Sequence, residues 1–169
     1  MVLVPSPLPP EGRRFVRILS PSVGKPIRFV SLSTVVTGVL THFVNGRTQP
    51  CLPQACPFCP PVIGYPQRWK GYLFGRDVEG HVAALLELPA DTCRTHVQLR
   101  DQSINLAGAS ILAERIGPAP NSTVRATVRL DAVTRVRPAQ EPDILRHLSR
   151  IWGIADIDER ASIDPEVDA

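Results

Sequence analysis

Residues 42–59 read His-Phe-Val-Asn-Gly-Arg-Thr-Gln-Pro-Cys-Leu-Pro-Gln-Ala-Cys-Pro-Phe-Cys, so His42, Cys51, Cys56 and Cys59 form an H(x8)C(x4)C(x2)C array. No other feature constrains the fold as strongly. Pro50, Pro53, Pro57, Pro60 and Pro61 deny this stretch a regular ladder, and it carries no apolar core of its own. Something other than burial must order it. The C(x2)C pair brings two thiolates from one tight turn to a common metal at about 2.3 Å, and an imidazole adds a harder ligand at about 2.0 Å. Four protein ligands fill a tetrahedron and leave no position for water, so the spacing predicts a structural zinc (Zn2+) rather than a hydrolytic one. A disulfide and unligated thiols are the alternatives, and Cys93, His81 and His96 compete with His42 for the fourth position.

A chain of 169 residues with 43% hydrophobic content suffices for one domain with a core, plus tails. No run approaches the roughly 18 apolar residues of a membrane span, and the first ten residues lack a basic region ahead of their proline-broken apolar stretch. The expectation is a soluble, cytoplasmic chain without membrane contacts. Three of the four cysteines fall within nine residues, which in a reducing compartment favours metal over disulfide. The net charge of +3 is unevenly spread: residues 154–169 hold six acids and one arginine, leaving 18 basic against 10 acidic residues elsewhere, or +8. A basic body with an acidic tail is a charge layout of nucleic-acid binders, in which the tail competes with the ligand or recruits a protein partner; a merely solubilising tail is the simpler reading.

Pro5, Pro7, Pro9 and Pro10 make residues 1–12 an extended arm. From Arg13 the text becomes β-like, with alternation over 15–19 and β-branched or aromatic runs at 27–30 and 34–44, where Gly38 suggests a bulge or a coil in a long strand. Strands over 67–77 and 81–88 follow the cysteine loop and pair antiparallel. A short helix over 90–102 then precedes strands over 106–115 and 123–134, whose connection is turn chemistry throughout. Residues 141–152 carry Ile144, Leu145, Leu148, Ile151 and Trp152 at helical spacing, with Asp143 in the first turn and Gly153 at the C-cap position. The domain plan is thus an arm over 1–12, a barrel over 13–137 with a zinc loop at 42–61, a helix over 138–153 and an acidic tail over 154–169. No Walker loop, GxSxG elbow, HExxH helix or GxGxxG turn is present.

The order of three strands, a helix and two strands, with Leu106-Ala107-Gly108 opening the fourth, resembles the OB-fold of single-stranded nucleic-acid-binding proteins, here with a zinc loop. The resemblance covers residues 13–134. It implies an all-β or small α+β fold: a five-stranded Greek-key barrel with a helix between strands 3 and 4, an inserted zinc loop after the first strand and a C-terminal helix. That loop and the one between strands 4 and 5 would flank the oligonucleotide face.

The residues around the loop suit such a ligand. Arg68, Lys70, Tyr72, Phe74 and Arg76 share one strand face, and Trp69, Gly71 and Leu73 the other. The first face offers stacking rings between cations, with Tyr72 the better stacking candidate and Trp69 the core residue. Arg47, Phe58 and Tyr65 form a rim near the metal, or else the two rings shield it. Arg125 and Arg129 recur on one face of the last strand, followed by Arg135 and Arg137; a solvated face is the alternative.

These features predict a non-enzymatic, sequence-independent binder of single-stranded nucleic acid, DNA before RNA, with the possibility of homo-oligomers. The second reading is a structural subunit that uses barrel and tails for protein contacts. A zinc deaminase is disfavoured, because Phe43 and Val44 follow His42 where a proton-shuttling glutamate belongs.

Overall fold

A computed structural model describes residues 16–52, 56–59, 64–94, 105–119, 121–130 and 142–154. The strands are β1 (Arg17–Leu19), β2 (Ile27–Ser31), β3 (Thr37–Val44), β4 (Arg47–Pro50), β5 (Arg68–Asp77), β6 (Ala83–Pro89), β7 (Ser110–Arg115) and β8 (Val124–Arg129). Residues 90–94 are helical (α1), and α2 spans Ile144–Trp152. The remainder of the helix expected over 90–102, the strand residues beyond 130, the arm over 1–12 and most of the acidic tail lie outside the described residues.

β5 is the spine of the sheet. One of its edges carries β6 from Lys70↔Pro89 to Arg76↔Ala83. The other edge is shared end to end, by β3 along Arg68–Tyr72 and by β2 along Gly75–Asp77. β2 passes on to β7 and β7 to β8, all antiparallel, while β1 lies parallel against β6. The outcome is a mostly β domain with two helices, in keeping with the expected all-β or small α+β class, and its eight-stranded sheet is open. Among the described residues β8 pairs only with β7, and the edge of β6 is taken by β1.

The break between β2 and β3 is a bulge, but not at Gly38. The N–H groups of Leu32 and Ser33 both donate to the Phe74 carbonyl, at 2.8 and 3.2 Å, so two residues oppose one. The Phe74 N–H donates back to the buried Ser33 hydroxyl at 2.9 Å. Gly38 instead pairs regularly with Gly71, and its missing side chain makes room for the Trp69 indole. A second departure lies at the start of the cysteine segment. Asn45 and Gly46, with φ of 49° and 79°, turn the chain into a tight hairpin, and Arg47–Pro50 pairs with β3 after all. Pro50 is tolerated there because it ends an edge strand.

Both faces of β5 are covered. Leu73 meets Phe29, Ala84, Leu86, Leu88, Cys93 and Ile111 in the main core, with Trp69 packed at its margin. On the opposite face Tyr72 and Leu85 meet Ile144 and Leu148 of α2. The caps of α2 are as the sequence indicates: Asp143 accepts from the Arg146 N–H at 2.9 Å, and Gly153 closes the helix in the left-handed region at φ 65°.

Candidate metal centre

The β3–β4 hairpin builds half of the site. Its register, Thr41↔Pro50 and His42↔Gln49, places Cys51 just past the end of β4, where its N–H donates to the Leu40 carbonyl at 2.8 Å. His42 is fully buried beneath it. Cys56 and Cys59 arrive on a separate tight turn, closed by the Cys59 N–H on the Cys56 carbonyl. The four donor atoms lie within 4.8 Å of one another.

Their separations test the fit to a metal. Ligands at zinc distances set tetrahedral edges of about 3.8 Å between sulfurs and about 3.5 Å between sulfur and nitrogen. Cys51 Sγ and Cys59 Sγ are 3.5 Å apart, and His42 Nε2 lies 3.3 Å from Cys56 Sγ and 3.5 Å from Cys59 Sγ. The cysteines are free thiols, with no sulfur pair at bonding distance. These four residues are thus positioned closely enough to bind a metal ion.

The surroundings orient the ligands. His42 Nδ1 lies 2.9 Å from the Tyr65 carbonyl, a contact in which Nδ1–H donates and Nε2 is left with its lone pair facing the sulfurs. Gln67 Nε2 donates to Cys51 Sγ and Cys59 Sγ at 3.2 and 3.4 Å, which stabilises thiolates. The thiols also divide in acidity. Burial pushes Cys51 up to about 11, helped by its neighbour Cys59. Burial acts on Cys56 too, but backbone hydrogen bonds from Leu52 and Phe58, with those from Cys59 and Cys51, outweigh it and bring the thiol down to about 6.

The rival ligands are elsewhere. Cys93 is in the main core, its thiol raised to about 12 by burial, and His81 is exposed at the β5–β6 turn. His96 lies outside the described residues. Neither the Tyr65 carbonyl nor Gln67 was identified as a partner from sequence, since a carbonyl leaves no residue-type signal and Gln67 reads simply as the start of a strand.

The expected nucleic-acid residues divide into four groups. Phe58 and Tyr65 belong to the metal centre: the Phe58 ring lies 5.9 Å from that of His42, and Tyr65 meets Phe58 edge-on at 6.3 Å. Both rings are half-buried beside the candidate ligands. Tyr72 and Phe74 are taken by α2, which corrects the choice of Tyr72 as a stacking platform. Tyr72 is fully buried, with its ring edge-on to Trp152 and its hydroxyl donating to Glu87 Oε2 at 3.1 Å. Phe74 is stacked on His147, 5.1 Å between centroids and 11° from parallel. Burial, then Arg150, lowers the His147 pKa and holds it in the neutral form that suits this contact. Lys70 is ion-paired at 3.0 Å with the buried Glu87, and Arg125 with Glu114. The exposed remainder is Arg47, Arg68, Arg76 and Arg129. Phe43, which sequence reasoning passed over, is 50% exposed, and the Arg68 guanidinium sits 5.8 Å from its ring centroid.

Burial, followed by the Glu87 charge and its hydrogen bond, raises the Tyr72 pKa well above the ordinary phenol value. The unfolded chain releases this proton near pH 10 and the folded chain does not, so the contribution is complete below that pH and is lost as pH rises towards the folded value. Stability should therefore fall above about pH 10, and Tyr72→Phe should flatten that fall in urea titrations at pH 9 to 11. An identical alkaline slope in the variant would contradict the assignment.

Fold and site together define a mostly β domain with a His/Cys3 cluster able to hold a metal ion. Comparisons with protein-family models, with curated proteins and with solved structures found no match to the chain. No helix among the described residues is long and apolar enough to cross a membrane.

Proposed function

We propose that this chain is a non-enzymatic, zinc-stapled module that binds single-stranded nucleic acid at the end of the sheet carrying the metal. The observation that carries this reading is the Phe43–Arg68 pair: a half-exposed ring with a guanidinium over it, on the strand that supplies His42. A ring of this kind stacks any base, and the cation beside it adds to the attraction. Arg47, across the hairpin from Val44, adds a phosphate contact.

Two further observations support the reading. Soft thiolates with one imidazole in tetrahedral spacing match zinc best among common metals, and a closed set of four ligands orders a loop instead of activating water. The antiparallel pairings of β5 with β2 and β3, of β6 with β5, of β7 with β2 and of β8 with β7, with a helix between β6 and β7, are compatible with an OB-like arrangement that is not closed between β6 and β8. In that frame the metal loop joins the first two OB strands, beside the usual oligonucleotide face. The helix α2 covers the middle of that face, so the open contact surface is shifted towards the hairpin.

Fluorescence titration of a labelled oligothymidylate across a salt series tests this. Affinity should fall steeply with salt, and Phe43→Ala should weaken binding about tenfold or more, corresponding to the loss of one stacked base at about 1–3 kcal/mol. Absence of binding at low salt would sink the proposal and leave the chain a structural subunit.

A further inference from the structure

The face of the sheet that bears Tyr72 and α2 continues beyond Arg76 onto β2, β7 and β8. The register sets its residues in two rows. One runs Arg76, Val30, Ser110, Arg129, and the next runs Arg28, Leu112, Thr127. Val78 extends the second row, its N–H donating to the Arg28 carbonyl at 2.9 Å. Together these rows form a groove lined by Arg28, Val78, Ser110, Leu112, Thr127 and Arg129. Its floor is apolar and open, with Leu112 37% and Val78 40% exposed.

The charged side chains that line this groove, Arg28 and Arg129, are both positive, and Glu114, one row further on the same face, is paired with Arg125. Among the described residues Arg28, Arg76 and Arg129 form no ion pair, whereas neighbouring Arg125 is held by Glu114. Cations that pair with no carboxylate among the described residues, set about an apolar strip, suit an occupant that is both anionic and flat-faced. Adjacent rows on one face are about 7 Å apart along the strands, a step comparable with that between successive phosphates of an extended strand. Guanidinium forks match phosphate oxygens two at a time, and Ser110 and Thr127 add hydroxyl donors between them.

We infer that this groove is a second contact surface for single-stranded nucleic acid, with Arg28, Arg76 and Arg129 on phosphates and Leu112 and Val78 under bases. It rests on the proposed function and extends the path of the strand across the sheet, past α2, to the far side from the metal. Arg28, which no sequence motif marks, is its central residue.

The test is the oligothymidylate titration on the full chain carrying Arg28→Ala and Arg129→Ala. Each lost phosphate contact lowers the salt slope by about 0.7, so the double variant should lose about 1.4 and bind about tenfold more weakly at low salt. Arg28→Lys with Arg129→Lys should restore the slope, which separates charge from any change in folding. Arg125→Ala, already engaged by Glu114, should change affinity less. Unchanged slope and affinity in the double alanine variant, with Phe43→Ala still impaired, would overturn the groove and spare the metal-end surface. No binding by the wild-type chain would overturn both. If deleting residues 155–169 abolished the difference between wild type and variant, the groove would belong to the chain's own acidic segment and the proposal would fail.

Discussion

Cys59→Ser is expected to purify without stoichiometric metal and to lose on the order of 5 kcal/mol of stability relative to the metal-bound wild type. Cys59 touches most of the site: its sulfur is 3.5 Å from both Cys51 Sγ and His42 Nε2 and accepts from Gln67 at 3.4 Å. A hydroxyl there is a poor zinc ligand, and three remaining ligands bind far more weakly than four. Apparent binding energies of about 10–16 kcal/mol in small zinc domains become folding energy, because no preformed site exists in the unfolded chain. The present domain also has an apolar core, so it should lose only part of that sum and stay folded around β5 and β6. Destabilisation should concentrate in the β3–β4 hairpin and the turn at Cys56. Thermal unfolding with and without a strong chelator checks this: chelator should bring the wild type down to the variant and leave the variant unmoved. Cys93→Ala, in the main core, should keep its metal.

The second large effect is expected at Gly75. A methyl group there would be driven into the Val30 carbonyl oxygen and the Phe29 ring. The first obstacle is backbone, so no rotamer change relieves it, and β2 must move away from β5. That movement breaks the short ladder Phe29↔Asp77, Val30↔Arg76, Ser31↔Gly75, which joins the two halves of the sheet. Overpacking typically costs about 1–3 kcal/mol, and Gly75→Ala should reach or exceed the upper end. Gly46→Ala is the useful contrast. Its added methyl meets open space, and only the positive φ of 79° resists it, at about 1–2 kcal/mol. Urea midpoints at constant m-value should rank the two; equal losses would contradict the packing argument.

The candidate metal site was legible because ligating residue types and their spacing are carried directly by a linear sequence. His42, Cys51, Cys56 and Cys59 converge although the chain between them is broken by prolines. The division of β5 into two faces was equally legible, since alternation is a property of the strand itself. Which face would be covered was not. Tyr72 was expected to point at a ligand, but α2 lies over it, and the docking of an element some seventy residues away leaves no local mark. One sign was available: Ala84, Leu85, Leu86 and Leu88 of β6 are apolar on both parities, as in a strand covered on both sides. The β3–β4 hairpin was also signalled, by Asn45-Gly46, but the nearby prolines argued against a ladder that Pro50 in fact only ends. The open sheet turns on β1 occupying the edge of β6, a three-residue pairing too short to read from periodicity.

X-ray absorption at the zinc edge, with metal quantified per chain on the purified protein, tests the central claim most directly. The account predicts one zinc per chain with three sulfur neighbours near about 2.3 Å and one nitrogen near about 2.0 Å. A chain that holds no metal after purification under reducing, zinc-replete conditions, or a spectrum dominated by oxygen ligands, would contradict it.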